Sequence, residues 1–417
     1  MKVLLFTNLY PSHRAPTRGI FNLHVFRALS KHCETRLIAP LPWWSKQRKI
    51  RDLFVVPEET ETGICASYPT YWSLPRMHNL HGAGMYYSVQ KQVKQLYREF
   101  PFDAILASWA YPDAYAAARI ARDLDVPLIT NLLGSDINAL IETSVRPQIE
   151  FALRQSAKII PVSQALGCKI AAMGVPESKI VVQHNGVDAT KFQLRDKQEL
   201  RQKLGISHNG ALVCYVGNFV EEKGVDVLVN AFRLLKEAGR TDIHLALIGS
   251  GSLDPTLRNI VEANGMSAMV TFYGRRKHDE IPDWMAACDL FCLPSLREGC
   301  PNVILEALCS GRPVVASCVG GVPELLSEKE GALVPPSNPN ALKDGILATL
   351  ARTWEPETLR SAVDGRSWDD VGLGYYRIVE AAIREAKGTA LPLSKSNDIQ
   401  ASELISEAWS ECKQRVR

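Results

Sequence analysis

Two carboxylates, Glu298 and Glu306, bracket the turn Gly299-Cys300-Pro301-Asn302 and stand eight positions apart. The run Asp289–Ser295 ahead of them reads as a strand, and Val303–Cys309 after them as a helix. Pro301 near the first helical position gives up no amide that the helix would use. Free amides at such a terminus favour an anion such as a diphosphate, and a flanking carboxylate accepts hydrogen bonds from sugar hydroxyls. The ligand that suits both is a nucleotide-sugar, with Glu298 towards the sugar and Glu306 towards the ribose. The same spacing also describes an ordinary helix start with one capping and one surface glutamate, and spacing alone favours neither.

More glycine-bearing loops follow candidate strands. Arg18-Gly19-Ile20 opens the first helical run, where a glycine lets the backbone approach a ligand closely. Val216-Gly217-Asn218 leads to Glu221-Glu222-Lys223-Gly224, and a lysine just ahead of a helix can meet phosphate charge. Gly249-Ser250-Gly251 ends another strand, and Gly320-Gly321-Val322-Pro323-Glu324 follows Pro313–Ala316. Each loop alone is equally an ordinary turn. Their recurrence at strand ends is what points to a shared binding edge.

The elements that must position these loops form an alternating pattern. Strands are expected at Lys2–Thr7, Thr35–Ala39, Ala104–Ser108, Pro127–Leu132, Lys158–Val162 and Ile180–Gln183, with helical runs at Gly19–Lys31, Met85–Glu99, Tyr111–Leu124 and Gln164–Met173. The rhythm restarts with strands at Ala211–Val216, Ile243–Ile248, Val270–Tyr273, Leu290–Leu293, Val314–Ala316 and Ala332–Val334, separated by helices including Val225–Glu237, Ile281–Ala287 and Asn338–Ala351. Such βαβ alternation predicts two parallel α/β sheets, each with a ligand-binding edge at its strand carboxyl ends. The polar segment Asp188–Lys203 is the expected linker, and Trp368–Lys387 is the last strong helix.

Composition agrees with that division. The chain has 417 residues, too many for one core, and 46% hydrophobic with 22% charged residues is the balance of a water-soluble globular chain. No apolar run is long enough to cross a bilayer, and Val3–Phe6 breaks too early for a signal peptide. Ten scattered cysteines fit neither a disulfide framework nor a zinc site, and a reducing cytoplasm is expected. The net charge of +3 conceals an asymmetry, because residues 1–100 hold 14 Lys/Arg against 6 Asp/Glu. No nucleic-acid-binding motif accompanies that excess, so an anionic membrane surface or an acidic acceptor is the expected partner.

The motifs together resemble the retaining glycosyltransferases of glycosyltransferase family 4, which have the GT-B fold. The matching pieces are Gly19, Gly134-Ser135-Asp136, Asn185-Gly186-Val187-Asp188, Val216-Gly217 with Lys223-Gly224, Glu298 to Glu306, and Gly311-Arg312-Pro313 through Glu324. They occur in the family's order, and the opening Asn8-Leu9-Tyr10-Pro11 resembles members that build bacterial cell-surface polysaccharides. The resemblance implies two Rossmann-like domains facing across a deep cleft. Residues 1–190 would form the acceptor domain, with the helix at 368–387 packing back on it. Residues 191–367 would form the donor domain, and 388–417 a polar tail.

It also implies roles. Gly19 would bring its amide to the donor diphosphate, and Lys223 would neutralise the departing phosphate. Glu298 would hold donor-sugar hydroxyls, with the loop of Cys300, Asn302 and Val303 lining sugar and phosphate. Glu306 would bind the ribose, and Gly217, Asn218, Gly274 and Arg275 would lie around the nucleotide. The family usually has Arg where Asn218 stands and often His where Leu133 stands. Arg18 or Arg275 could supply the missing charge. Asp136 is an acceptor-side candidate or a helix cap.

The implied reaction is retaining, metal-independent hexosyl transfer from a nucleotide-diphosphate sugar, with no other cofactor. The departing diphosphate would take the acceptor's proton, which requires no protein nucleophile. The acceptor would be a glycan or a polyprenyl- or lipid-linked sugar. Residues 41–54 combine Trp43 and Trp44 with Lys46, Arg48, Lys49 and Arg51. That composition suits a membrane interface at the inner face of the plasma membrane, or equally tryptophans packed within the first domain. A nucleotide-sugar epimerase on the same architecture and a catalytically idle interaction subunit remain as rival readings.

Overall fold

The computed structural model describes residues 1–388 except 13, 14, 16, 17, 45–57, 60–62, 75, 142 and 209. The chain divides into two compact units, Met1–His184 joined by the segment from Trp368 onward, and Asn185–Ser367. The tail expected at 388–417 lies, from residue 389, outside the described residues.

In the first unit the strands are β1 (Lys2–Phe6), β2 (Glu34–Ile38), β3 (Leu41–Pro42), β4 (Glu58–Glu59), β5 (Cys65–Ser67), β6 (Thr70–Tyr71), β7 (Ala104–Ser108), β8 (Leu128–Leu132) and β9 (Lys158–Pro161). Seven of them make one sheet in the order β4-β5-β2-β1-β7-β8-β9, and β3 pairs separately with β6. Among the described residues only β4 runs antiparallel, at the edge. Val3, Leu4, Leu5 and Phe6 are buried without alternation, as befits a strand covered on both faces. The strand expected at Ile180–Gln183 is absent. Val181 and Gln183 donate to Ile159 and Pro161, but the segment forms only an isolated bridge at Ile180. Another difference lies ahead of the helix Tyr115–Leu124. Ala110–Ala114 forms a wide turn in which Tyr111 is extended, so the expected helical start at Tyr111 is displaced.

The helix Trp368–Ala386 belongs to this first unit. Val371, Tyr375, Val379 and Ala382 pack with Val25, Phe26 and Leu29 of the helix Ile20–Leu29. The two helices touch at Gly372, where an added Cβ would sit 2.5 Å from the Ala28 Cβ. A buried hydrogen-bond chain then crosses the sheet. The Tyr375 hydroxyl donates to Asn131 Oδ1 at 2.8 Å, and Asn131 Nδ2 donates to Ser108 Oγ at 3.1 Å. Ser108 Oγ donates to Asn22 Oδ1 at 2.7 Å, and Asn22 Nδ2 donates to the Leu9 carbonyl at 2.8 Å. It ties the loop after β1 to the strand ends of β7 and β8.

The second unit has β10 (Ala211–Val216), β11 (Ile243–Ile248), β12 (Val270–Gly274), β13 (Leu290–Leu293), β14 (Val314–Ser317) and β15 (Gly331–Val334), in the order β12-β11-β10-β13-β14-β15. All are parallel. The strand order reverses direction on either side of β10, and such a switch opens a crevice at the carboxyl ends. The expected linker at Asp188–Lys203 is part of this unit and contains the helix Lys197–Lys203. Asp196 caps that helix by accepting from the Glu199 amide at 2.8 Å.

Candidate functional site

The carboxyl ends of β10, β11, β13 and β14 carry four loops that pack backbone to backbone, and glycine is what allows each approach. After β10, the Gly217 amide donates to Ile248 and the Phe219 amide to Ser250. A Cβ on Gly249 would lie 1.8 Å from the Gly217 carbonyl oxygen. Gly249 in turn donates to the carbonyl of Gly274, which brings the end of β12 alongside. The Tyr215 hydroxyl reaches back to the Asn218 carbonyl at 3.0 Å and closes the turn.

On the other flank, the Leu296 amide donates to the Glu222 carbonyl at 2.9 Å. Gly224 adopts φ +58°, and a Cβ there would sit 2.2 Å from the Pro294 carbonyl oxygen. These contacts set the loop after β13 directly against the Lys223 turn. Gly320, with φ +53°, covers the far side. Its Cβ would lie 2.0 Å from the Glu298 carbonyl oxygen, and the Gly321 amide donates to Gly299 at 3.0 Å.

That scaffold brings together two charged groups 75 positions apart in sequence. Lys223 Nζ lies 2.7 Å from Glu298 Oε1. The Ser295 hydroxyl donates to the same oxygen, also at 2.7 Å. The Glu298 side chain is only 8% exposed while Lys223 is 32% exposed, so the carboxylate is the desolvated partner and depends on both donors. Lys223 keeps access to solvent and so can present its ammonium to an incoming anion.

The helix Asn302–Cys309 follows, with Pro301 as the residue before it rather than its first member. By geometry the amides of Asn302 and Val303 have no carbonyl one turn back to bond. The Asn302 side chain is committed elsewhere. Its Oδ1 accepts from Asn185 Nδ2 at 2.8 Å, and Asn185 also donates to the Cys300 carbonyl at 3.1 Å. Asn302 thus anchors the glutamate loop to the start of the unit, which leaves its backbone amide rather than its side chain available to a ligand. Cys300 is buried, and desolvation pushes its thiol up to about 12. It is no nucleophile at neutral pH.

Glu306 is half-buried one turn into that helix, and desolvation raises its pKa from 4.5 to about 7. Hydrogen bonds from ribose hydroxyls favour the ionised carboxylate. Nucleotide affinity is therefore expected to strengthen as pH rises from 6 to 8, and Glu306→Gln to flatten that dependence in titration calorimetry. The linkage to stability has the opposite sign. The folded state holds the extra proton between pH 4.5 and 7, so this group's contribution is present at pH 4.5 and is lost as pH rises through 7. Glu306→Gln should thus melt higher than wild type at pH 8.

Arg275 is exposed just beyond β12. Gly19 and Asp136 lie in the first unit. Gly19 has φ +64°, and a Cβ there would meet the Leu9 carbonyl oxygen at 2.1 Å. Asp136 is wholly buried, and its oxygens accept from the amides of Gly134 at 2.8 Å, Ala110 at 3.0 Å and Ile137 at 3.2 Å. Desolvation raises its pKa to about 6. The position before the short helix Ser135–Asn138 is filled by Gly134, so Asp136 ties two strand ends together rather than capping from outside. Among the described residues no group of three or more His, Cys, Asp or Glu is placed to hold a metal ion. The single Asp-x-Asp spacing, Asp123-Leu124-Asp125, ends a helix, and there Asp123 pairs with Lys94 at 3.0 Å and Tyr86 at 2.7 Å.

Ser295, read from the sequence only as the end of a strand, stands in Ser-x-x-Glu spacing to Glu298, which is that of a capping pair. Asn185 belongs to the Asn185-Gly186-Val187-Asp188 motif, but its contact with Asn302 leaves no local signal of this kind.

Residues 196–363 match the family described as "Glycosyl transferases group 1" and residues 22–191 match "Glycosyltransferase Family 4". A relative, the "Putative teichuronic acid biosynthesis glycosyltransferase TuaC" of Bacillus subtilis (strain 168), is 29% identical over 375 residues, covering 86% of this chain and 91% of that protein. The "Amylovoran biosynthesis glycosyltransferase AmsK" of Erwinia amylovora is 30% identical over 61% of this chain and 63% of its own length. Among solved structures, Anabaena HepE in complex with UDP superposes with a TM-score of 0.71 at 20% identity, covering 91% of this chain and all of that one. The chain belongs to the family 4 glycosyltransferases and has the GT-B fold.

Proposed function

We propose that this glycosyltransferase moves a hexosyl group, with retention of anomeric configuration and without a metal ion, from a nucleotide-diphosphate sugar to a glycan or lipid-linked acceptor in surface-polysaccharide assembly. The observation that carries the donor assignment is the Lys223–Glu298 contact within a ring of glycine loops. A cation at the phosphate and a carboxylate at the sugar are the two groups that donor cleavage needs. Relatives named for teichuronic acid and amylovoran synthesis favour a cell-surface glycan as the product, and the HepE complex with UDP favours a nucleoside diphosphate donor. The nuclear magnetic resonance coupling of the new anomeric proton tests retention, since an inverted product overturns it.

Metal independence rests on Lys223 taking the charge of the leaving group. Turnover is expected to persist in excess EDTA. Loss of activity restored specifically by Mg²⁺ or Mn²⁺ would refute this part. An isomerised sugar from donor alone would favour the epimerase reading instead, and no turnover with any donor would favour the idle one.

Membrane contact is the second part of the reading. Most of the basic stretch at 41–54 lies outside the described residues. Trp43 and Trp44 are 48% and 51% exposed, and Trp72 is 63% exposed with its ring 6.1 Å from that of Trp43. The indole N–H groups of Trp43 and Trp44 both bond to Ser73, one to its carbonyl and one to its hydroxyl. Their remaining surface is apolar ring, as interfacial tryptophans present. Among the described residues no helix is long and apolar enough to cross a membrane.

A further inference from the structure

Among the described residues of the first unit two carboxylates, Asp113 and Asp136, are wholly buried, and they are treated differently by their surroundings. Asp136 has both oxygens engaged by backbone amides. Asp113 does not. Its Oδ1 accepts from the Asn8 amide, but among the described residues its Oδ2 has no hydrogen-bond partner. The Oδ1 of Asn8, whose side chain is hydrogen-bonded to the Tyr71 hydroxyl, is likewise buried without a partner. Asn8 follows β1 by two residues and Asp113 follows β7 by five, so adjacent strands deliver both to the carboxyl edge of the parallel sheet.

A buried acceptor left unpaired is costly, and native structures keep one chiefly where it serves a purpose. The local backbone is strained as well. Trp109, half-buried at the end of β7, has φ +93°, which a tryptophan adopts only at a cost. The two residues are joined through the Asn8 amide and Asp113 Oδ1, and their two unpaired oxygens are complementary to two O–H donors. A cationic ligand suits the place poorly, because the Arg18 charge already acts on Asp113 and Tyr71.

We propose that Asp113 and Asn8 recognise neighbouring hydroxyls of the acceptor sugar, one pyranose ring presenting both donors to the carboxyl edge of this sheet. The proposal rests on the glycosyl-transfer reading and adds to it the pair of residues that select the acceptor. Both oxygens are shielded from solvent, so hydroxyl binding displaces the side chains over them. Burial holds the Asp113 carboxyl well above the usual range, and hydroxyl donors arriving at Oδ2 would favour its ionised form.

The test compares wild type with Asp113→Asn, which retains an oxygen for the Asn8 amide, and with Asn8→Ala. The methyl α-glycosides of glucose, galactose and mannose serve as acceptor probes in saturation-transfer resonance. UDP, GDP and ADP serve as donor probes in calorimetry, and melting temperature is recorded for each variant. At least one glycoside is expected to bind wild type and to lose ten-fold or more in affinity in both variants. The nucleotide Kd should stay within two-fold, and Asp113→Asn should melt no lower than wild type. Unchanged glycoside binding in the variants overturns the proposal, as does absence of glycoside binding by a wild type that binds nucleotide. A fall in melting temperature with parallel losses for glycoside and nucleotide assigns Asp113 a structural role and overturns it too. Failure of every nucleotide to bind wild type sinks the transfer reading itself, and this inference with it.

Discussion

Lys223→Ala is expected to lower kcat/KM for the nucleotide-sugar donor by roughly two to three orders of magnitude, the scale of removing one well-placed donor from a developing anion. The size follows from how few cations this edge supplies. Asn218 brings no charge to the loop after β10, and Lys223 is the ammonium held 2.7 Å from the desolvated Glu298. The loss should fall mainly on kcat, because charge on the diphosphate grows as the glycosidic bond breaks. Some stability should be lost as well, since Glu298 is only 8% exposed and, among the described residues, would keep Ser295 as its one remaining side-chain donor. Steady-state kinetics beside a melting curve separate the two effects. A loss below five-fold would remove Lys223 from the catalytic account.

Gly320→Ala should be nearly as damaging for a different reason. Its φ of +53° is strained for alanine, and the new methyl would be driven within 2.0 Å of the Glu298 carbonyl oxygen. Backbone on backbone cannot yield by a rotamer change. The loop carrying Glu298 must therefore move, and the bond from the Gly321 amide to Gly299 goes with it. A destabilisation of about 2 kcal/mol and a loss of transfer exceeding a hundred-fold are expected. Gly239→Ala is the control, because Gly239 has φ +76° but nothing within 4 Å of the added Cβ. It should show the strain without the loss of activity. Equal damage in both variants would mean that the close packing at Glu298 has no special part.

The strands of the second unit were legible because fully buried parallel strands are short runs dominated by apolar residues. Ala211–Val216, Ile243–Ile248 and Leu290–Leu293 match the expected bounds residue for residue. Ile180–Gln183 has the same composition, yet it lies against the last strand of its sheet and makes too few ladder bonds to count as another. Tyr111–Leu124 has helical periodicity, but the turn at Ala110–Ala114 delays the helix until Tyr115. Tertiary demands overrode local preference in both places.

The candidate site divides along the same line. Glycines ahead of helices and the spacing of Glu298 and Glu306 are local features, and they pointed to the loops. The pairing of Lys223 with Glu298 and the clamp of Asn185 on Asn302 join residues far apart in sequence, and only the assembled sheet brings them together. Asp113 lay hidden within an apparently ordinary helical run, because a missing partner is a property of packing and leaves no mark on spacing.

The central claim is that the loops at the end of the second sheet hold a nucleotide-diphosphate sugar through Lys223 and Glu298. Thermal melting of wild type against a panel of UDP-, GDP- and ADP-sugars tests it most directly. Ligand at a hundred times its Kd adds about 2.7 kcal/mol to the stability of the state that binds it. One nucleotide class should raise the wild-type melting temperature, and the shift should shrink in Lys223→Ala and Glu298→Ala. No shift with any donor, or a shift that survives both substitutions undiminished, would contradict the claim.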